Sequence, residues 1–288
     1  MHFLKSFERV ISRAKQILKM CRLLNKFGQN ECISTFQEYS DPDNSIGEES
    51  PIWCIWWQGE NNMPEIVKAC YNTILRHARK HPVILITEEN MDEYIKLPEY
   101  IMAKYRDGII SRTHFSDIAR MYLLKEYGGI WTDITNYFTK DIDEIVDTSL
   151  SLWTYRHVTL YNNVSRGLWT SFFIASGKHS VLPEYIFDSL LHWWKNNDKL
   201  IDYLLLDYIF KSGYDNILQI KSLIDALPTK TFSMMRKSLH REYNAEEWEK
   251  LCSVAPFHKL SYKKYTEKHT KNGLKTFYAH ILDICLNM

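Results

Sequence analysis

The chain has 288 residues, which allows one large domain or two small ones, and 45% of them are hydrophobic. Its formal net charge of +1 at pH 7 argues against a protein that binds nucleic acid through its overall charge. The six cysteines have no CxxC pair and no zinc-type spacing, so we expect reduced thiols in a cytoplasmic protein. The sequence has no apolar run of about twenty residues and therefore predicts no transmembrane helix.

Residues 3–27 have the pattern of a basic amphipathic helix. Its apolar residues, which fall broadly on one side, are Phe3, Phe7, Val10, Ile11, Ala14, Ile17, Leu18 and Leu24. The other side carries one acid, Glu8, against the basic residues Lys5, Arg9, Arg13, Lys15, Lys19, Arg22 and Lys26. Such a helix suits an anionic membrane surface, although packing on the rest of the protein or binding a protein partner would also explain it.

The polar, turn-rich residues 40–50 are typical of a linker, so we divide the chain into a helical segment, 1–40, and a folded domain, 41–288. Strands are predicted at Ile52–Trp57, Val83–Thr87, Ile130–Thr132 and Trp169–Ser176. Helices are predicted from Pro64 and near 180–195 and 201–211, whereas 215–245 has an irregular pattern. This alternation of strand and helix predicts an α/β fold with a largely parallel sheet.

The segment Ser111–Asp133 contains the clearest helix of the chain. Its apolar stripe consists of Phe115, Ile118, Ala119, Tyr122 and Leu123. Ser111 or Thr113 can cap the start of the helix, and the pair Gly128–Gly129 suits its end.

Asp117 and Arg120 lie off the apolar stripe of this helix, about 60° apart at ~100° per residue. They can therefore face a common ligand, or they can form an ordinary solvated ion pair on a surface helix. Asp133 follows the short apolar strand after the glycine pair. Ligands bind α/β sheets in loops beyond strand ends, although a turn-capping role would also suit this aspartate.

Five stretches of the chain together resemble the capsular polysaccharide synthesis proteins. They are IWCIWWQG (52–59), MPEIVKACYNTI (63–74), LPEYIMAKY (97–105), ISRTHFSDIARMYLLKEYGGIWTDIT (110–135) and HKLSYK (258–263). That family belongs with the glycosyltransferases that carry a sugar-binding DxD region. The resemblance implies a Rossmann-like GT-A fold and transfer of a sugar from a nucleotide diphosphate donor.

The resemblance also implies roles for individual residues. Trp56 would lie near the nucleotide base and Asp117 near the ribose or the sugar. Arg120 would contact the sugar or the diphosphate. Asp133, as the first aspartate of the DxD-type motif, would contact the donor and a metal ion, and His258 would reach the metal or the diphosphate.

The motif here is Asp133-Ile134-Thr135, so a neutral hydroxyl replaces the second carboxylate. We still expect Mn²⁺ or Mg²⁺, held by Asp133 and His258, but Thr135 weakens the expectation of strong metal binding. Lys259 and Lys263 are candidates for further positive charge at the donor. An ordinary hydrogen-bonded histidine and a solvated basic tail are the alternatives for these C-terminal residues.

Asp207 lies within the apolar stretch IDYLLLDYIF (201–210) and is the candidate catalytic carboxylate on the acceptor side. The alternatives are a buried partner for a lysine or for a helix N-terminus. An inverting enzyme needs such a base, whereas the resemblance favours a retaining reaction.

The leading interpretation is a cytoplasmic glycosyltransferase that extends a lipid-linked surface polysaccharide of capsule or O-antigen type. Its donor would be a UDP-sugar, its acceptor a lipid-linked oligosaccharide, and its location the inner face of the plasma membrane. The rival interpretations are a catalytically inactive nucleotide-sugar-binding protein and a membrane-docking scaffold. A serine hydrolase is disfavoured because the sequence has no GxSxG motif.

Overall fold

The computed structural model describes residues 2–25, 30–40, 42, 44–158, 164–231, 235–263 and 266–286. The predicted basic residue Lys26 and the side chains of residues 2–10, among them Phe3, Lys5, Phe7, Glu8, Arg9 and Val10, lie outside the described part. The helices are α1 His2–Leu24, α2 Asn30–Gln37, α3 Glu65–His77, α4 Met91–Tyr94, α5 Glu99–Arg106, α6 Arg112–Tyr127, α7 Val181–Asn196, α8 Leu205–Asn216, α9 Leu218–Ala226, α10 Ala245–Val254 and α11 Phe277–Leu286. The strands are β1 Ile52–Ile55, β2 Val83–Ile86, β3 Gly129–Thr132, β4 Asn136–Phe138, β5 Leu152–Thr154, β6 Arg156–His157, β7 Phe173–Ser176, β8 Thr229–Lys230 and β9 Phe257–Lys259.

The chain forms two compact units, each built from three separate segments. The first unit comprises residues 1–46, 94–129 and 150–230, and the second comprises 47–93, 130–149 and 231–288. The N-terminal segment is therefore grouped with later parts of the chain, while the division predicted at residue 40 stays a prediction.

Parallel strands form the centre of the second unit, in the order β2, β1, β3. Ile52 pairs with Val83 on one side and with Ile130 on the other. All four residues of β1 are buried, as expected for a parallel strand covered on both faces. Helix α3 follows Pro64 and packs against α11. The predicted α/β class with a parallel sheet is confirmed, and the first two strands end one or two residues earlier than predicted.

An antiparallel pair, β4 and β9, forms a separate two-stranded sheet in the second unit. Its register places Asn136 opposite Lys259, Tyr137 opposite His258 and Phe138 opposite Phe257. This pairing brings the segment just after β3 next to residues near the C-terminal end of the chain.

Helix α6 belongs to the first unit and matches its prediction closely. The Ser111 side chain caps it by accepting a hydrogen bond from the backbone N–H of His114 at 3.3 Å, and the predicted apolar stripe is buried. Gly128 ends the helix with φ of 67°, and a Cβ there would lie 2.8 Å from the Lys178 backbone nitrogen. Glycine is therefore required by both backbone conformation and space.

The first unit also contains α1, which packs against α8. Ile17, Met20 and Leu24 of α1 are buried, whereas Ile11 and Leu18 are 42% and 60% exposed. The residues predicted to share one apolar side are therefore split between the packed and the exposed face of the helix. Among the described residues, no helix is both long and apolar enough to span a bilayer.

The sequence predictions were less accurate elsewhere in the first unit. The predicted strand Trp169–Ser176 is extended only over Phe173–Ser176, where it pairs antiparallel with β5. Part of the region predicted to be irregular, 215–245, forms helix α9. Its apolar residues Ile220 and Ile224 are buried at i,i+4 spacing, a short pattern that the sequence reading missed.

Candidate active site

Lys259, Asp133 and Thr135 form one polar cluster in the second unit, which we call the Lys259 cluster. The Lys259 ammonium donates to Asp133 Oδ2 at 2.5 Å and to Thr135 Oγ1 at 2.7 Å. The indole nitrogen of Trp131 donates to the other carboxylate oxygen, Asp133 Oδ1, at 3.0 Å. The first and third residues of the D-I-T motif are thus joined by one ammonium group.

Backbone pairing positions this cluster. The chain turns after β3 with a hydrogen bond from the Asn136 N–H to the Asp133 carbonyl at 2.9 Å. The Leu260 N–H then donates to the Thr135 carbonyl at 2.9 Å, next to the β4–β9 pair. The Lys259 and Asp133 side chains are 24% and 29% exposed, so the cluster is accessible to a ligand from solvent.

The ligands that the Lys259 cluster offers can be compared with those that the predicted metal ion prefers. A hard divalent cation takes six or more oxygen ligands and favours several carboxylates. The cluster offers a neutral hydroxyl and one carboxylate that already pairs with an ammonium. Within the described ranges, no group of three or more His, Cys, Asp or Glu residues could hold a metal ion. This donor set fits an ammonium and does not fit Mn²⁺ or Mg²⁺.

His258 lies on β9 directly before Lys259 and is fully buried. Neither ring nitrogen has a hydrogen-bond partner, and burial lowers the pKa of His258 to about 4. The ring is therefore neutral at pH 7 and packed within the second unit. Its role as a ligand of the metal or the diphosphate stays a prediction.

Trp56 follows β1 and contacts Tyr262, with ring centroids 5.3 Å apart and ring planes at 83°. The Trp56 indole donates to the Asn62 carbonyl at 3.3 Å, which orients the ring. Tyr262 is 45% exposed, and the sequence reading did not select it. Its position within the family-like segment HKLSYK was the feature of the sequence that could have identified Tyr262 as a candidate. Lys263, a predicted donor-binding residue, is exposed next to it in the chain.

Asp117 and Arg120 form an ion pair in the first unit, with 3.2 Å between Asp117 Oδ1 and Arg120 Nη2. Arg120 Nη1 also donates to the Ser171 carbonyl at 2.5 Å. The two side chains are only 14% and 8% exposed. The two side chains therefore form an ion pair, as the alternative interpretation expected, but the pair is largely buried and is not solvated. The predicted contact of both residues with a donor stays a prediction.

Asp207 lies in the first turn of α8 in the first unit and accepts a hydrogen bond from the Trp169 indole at 3.0 Å. The Trp169 ring stacks on Phe210 with centroids 4.2 Å apart. An indole N–H together with a position at a helix start explains how a carboxylate is tolerated here. The acceptor-side role of Asp207 stays a prediction.

Comparison with known proteins identifies relatives of the chain. The profile of a family described as "Capsular polysaccharide synthesis protein" matches residues 4–281. The chain is 25% identical over 205 residues to the "Probable glycosyltransferase FCK3" of Fusarium pseudograminearum (strain CS3096), covering 65% of this chain and 49% of that protein. It is 27% identical over 109 residues to the "O-glycosyltransferase braB" of Annulohypoxylon truncatum, covering 35% of this chain and 26% of that protein. The matches therefore span half or less of these two curated relatives.

Two solved structures are also similar to this one. The PaToxG glycosyltransferase aligns with a TM-score of 0.44 at 16% identity, over 74% of this chain and 83% of that one. The WbbM bifunctional glycosyltransferase aligns with a TM-score of 0.42 at 12% identity, over 87% of this chain and 51% of that one.

Proposed function

Because this chain belongs to the capsular polysaccharide synthesis protein family, we propose that it is a glycosyltransferase that uses a nucleotide diphosphate sugar. The single observation that carries the proposal is the Lys259 cluster. It combines a carboxylate after a parallel strand with a solvent-accessible ammonium. The glycosyltransferase names of the two curated relatives support the same reaction class.

The chemistry of sugar transfer explains why such a cluster would be useful. Negative charge grows on the leaving diphosphate while positive charge grows on the sugar ring. An ammonium next to the diphosphate stabilises the first charge, and a carboxylate near the sugar stabilises the second. In this proposal Lys259 supplies the ammonium, Asp133 the carboxylate, and Thr135 a hydroxyl that orients them.

Each of the other predicted donor residues is proposed to contact one part of the donor or to add charge near it. Trp56, with Tyr262 against it, offers an aromatic surface for the nucleotide base. Lys263 adds positive charge in the same segment. Asp117 and Arg120 are proposed to serve the donor as the family resemblance implies.

The finer features of the reaction are also proposals. The donor is a UDP-sugar, the acceptor a growing lipid-linked polysaccharide of capsule or O-antigen type, and the reaction retaining, with Asp207 on the acceptor side. The protein works at the cytoplasmic face of the membrane. The exposed residues Ile11, Lys15 and Leu18 of α1 support this location because they combine apolar and basic groups.

A panel of nucleotide sugars tests the proposal by thermal shift and by release of the nucleoside diphosphate. A donor at 100 times its dissociation constant adds about 2.7 kcal/mol to the free energy of unfolding. Asp133→Asn should lose turnover, whereas the matched control Asp92→Asn, at an exposed aspartate of the second unit, should keep it. Binding without turnover would instead support the inactive nucleotide-sugar-binding protein, and no binding by any donor would contradict both.

A further inference from the structure

We propose that Lys259 supplies the positive charge that DxD glycosyltransferases take from a divalent metal, so that this enzyme transfers sugar without one. The inference rests on the proposed function and adds the source of the charge at the diphosphate. Its starting point is the position of the ammonium, which bridges Asp133 and Thr135. Those are the first and third residues of the motif.

A comparison of charges supports this assignment. In a D-x-D motif, two carboxylates with a total charge of −2 match a divalent cation. In the D-I-T motif, one carboxylate matches the single positive charge of Lys259, and the hydroxyl of Thr135 accepts a hydrogen bond without adding charge. The loss of one carboxylate and the presence of one ammonium thus compensate each other.

A metal ion would find an unfavourable site in this arrangement. It would have to displace the ammonium from a 2.5 Å contact with Asp133 Oδ2. It would then meet one carboxylate and a neutral hydroxyl, and the like charge of the lysine would remain nearby. The backbone of Lys259 is fixed next to the motif, because Asn136 and Lys259 are partners in the β4–β9 pair.

The step that follows needs no further cofactor. The bond between the anomeric carbon and the diphosphate oxygen breaks, and the electron pair leaves with the nucleoside diphosphate. The acceptor oxygen forms the new bond to the anomeric carbon, and its proton passes to the released diphosphate or to water. Lys259 keeps its proton throughout and stabilises the growing negative charge, as lysines do in other phosphate sites.

The first experiment measures the binding of UDP by calorimetry and the rate at which UDP is released from a UDP-sugar that the protein turns over. Both are measured once with EDTA and once with added Mn²⁺. We expect both quantities to agree within about twofold between the two conditions. A rate that falls tenfold or more in EDTA and returns with Mn²⁺ would overturn the inference while leaving the glycosyltransferase proposal intact. A protein that neither binds nor turns over any donor would remove the proposed function itself.

Variants of Lys259 make the test specific. Lys259→Met should lower turnover by ~10²–10³ with or without metal. Lys259→Arg should recover part of that loss because it keeps the charge. The matched control Lys250→Met, at an exposed lysine of α10 in the same unit, should be unchanged. Full activity of a folded Lys259→Met protein would contradict the inference.

A double variant tests the charge argument directly. Thr135→Asp combined with Lys259→Met restores two carboxylates and removes the ammonium. We expect this protein to release UDP only when Mn²⁺ is present, and its melting temperature to rise with Mn²⁺ alone. Mn²⁺ stabilisation of the unmodified protein equal to that of the double variant would count against the assignment.

Discussion

The molecule contains two carboxylate–cation pairs that differ in how they are built. Asp117 and Arg120 lie one turn apart on α6, and Arg120 is 8% exposed and also bonded to the Ser171 carbonyl. Asp133 and Lys259 are 126 positions apart in the chain, and their side chains are 29% and 24% exposed, against 14% for Asp117 and 8% for Arg120. The first pair is part of the packing of its unit, and the second remains open to a ligand.

Because of this difference, we expect changes to the first pair to affect mainly the stability of the fold and changes to the second pair to affect mainly its chemistry. A buried ion pair is costly to break, because removal of one partner leaves an uncompensated charge. A partly exposed pair such as Asp133 and Lys259 is screened by solvent and contributes less to stability than a buried pair, so its replacement mainly affects what the pair binds.

The largest expected effect is on the stability of the buried pair. Arg120→Ala should lower the free energy of unfolding by about 3–5 kcal/mol, because Asp117 is left buried without its cation. Arg120→Lys should lie between this variant and the unmodified protein, because lysine lacks the planar fork. Urea unfolding measures both.

The control for this pair is Arg106→Ala, which breaks an exposed ion pair with Glu99 in the same unit. It should cost less than ~1 kcal/mol. Equal stability of the Arg120 and Arg106 variants would show that burial of the Asp117–Arg120 pair is not important for the fold. A large loss of activity in a stable Arg120→Lys protein would support the donor contact that is proposed for Arg120.

The next effect is on turnover at the partly exposed pair of Asp133 and Lys259. Asp133→Asn should reduce sugar transfer by ~10²–10³ while the free energy of unfolding changes by less than ~1 kcal/mol. The reason is that the carboxylate is partly exposed and is proposed to act on the donor. Turnover and urea unfolding of one preparation measure both. Near-normal turnover in folded Asp133→Asn would remove the contrast between the two pairs.

The stability of both units should depend on pH, because each unit contains a buried neutral histidine. Burial lowers the pKa of His114 in the first unit to about 4, as it does for His258 in the second. The unfolded chain therefore binds protons between about pH 6.5 and pH 4 that the folded protein does not, and stability falls as the pH falls through this range. The loss should reach about 3 kcal/mol per histidine near pH 4.

His114→Phe should reduce the slope of the free energy of unfolding against pH. The reduction should correspond to the uptake of about one proton, since phenylalanine does not titrate. The control is His240→Gln, which changes an exposed histidine and should leave the slope unaltered. Urea unfolding at several pH values between 4 and 7 measures the slope. An unchanged slope in His114→Phe would mean that this ring is not neutral and buried in the folded protein.

The smallest effects concern α1, where packed and exposed residues occur on one helix. Lys15→Gln and Lys19→Gln should each weaken binding to anionic liposomes by about 1 kcal/mol, and the difference should fade as salt rises. Deletion of residues 1–40, by contrast, would remove the buried Ile17, Met20 and Leu24 and should destabilise the protein. Co-sedimentation with liposomes measures the first effect, and binding that does not depend on these lysines would contradict it.

Features that depend on neighbouring residues could be predicted from the sequence. The apolar stripe of α6, its cap at Ser111 and its end at Gly128 follow from helical periodicity and from the conformations that each residue type prefers. The Asp117–Arg120 pair is likewise local, because residues three apart on a helix are neighbours. The family resemblance added Asp133 and the C-terminal HKLSYK segment to the candidates.

The family, the alternation of strand and helix, and most of the candidate residues can therefore be predicted from the amino-acid sequence. The folded structure was needed to show that Arg120 is buried against Ser171, that Trp169 donates to Asp207 and that Tyr262 lies against Trp56. It also decided that Lys259 lies between Asp133 and Thr135. The physical reason is that these contacts join distant segments through strand pairing and packing, which depend on the whole chain and leave no periodic signal in the local sequence.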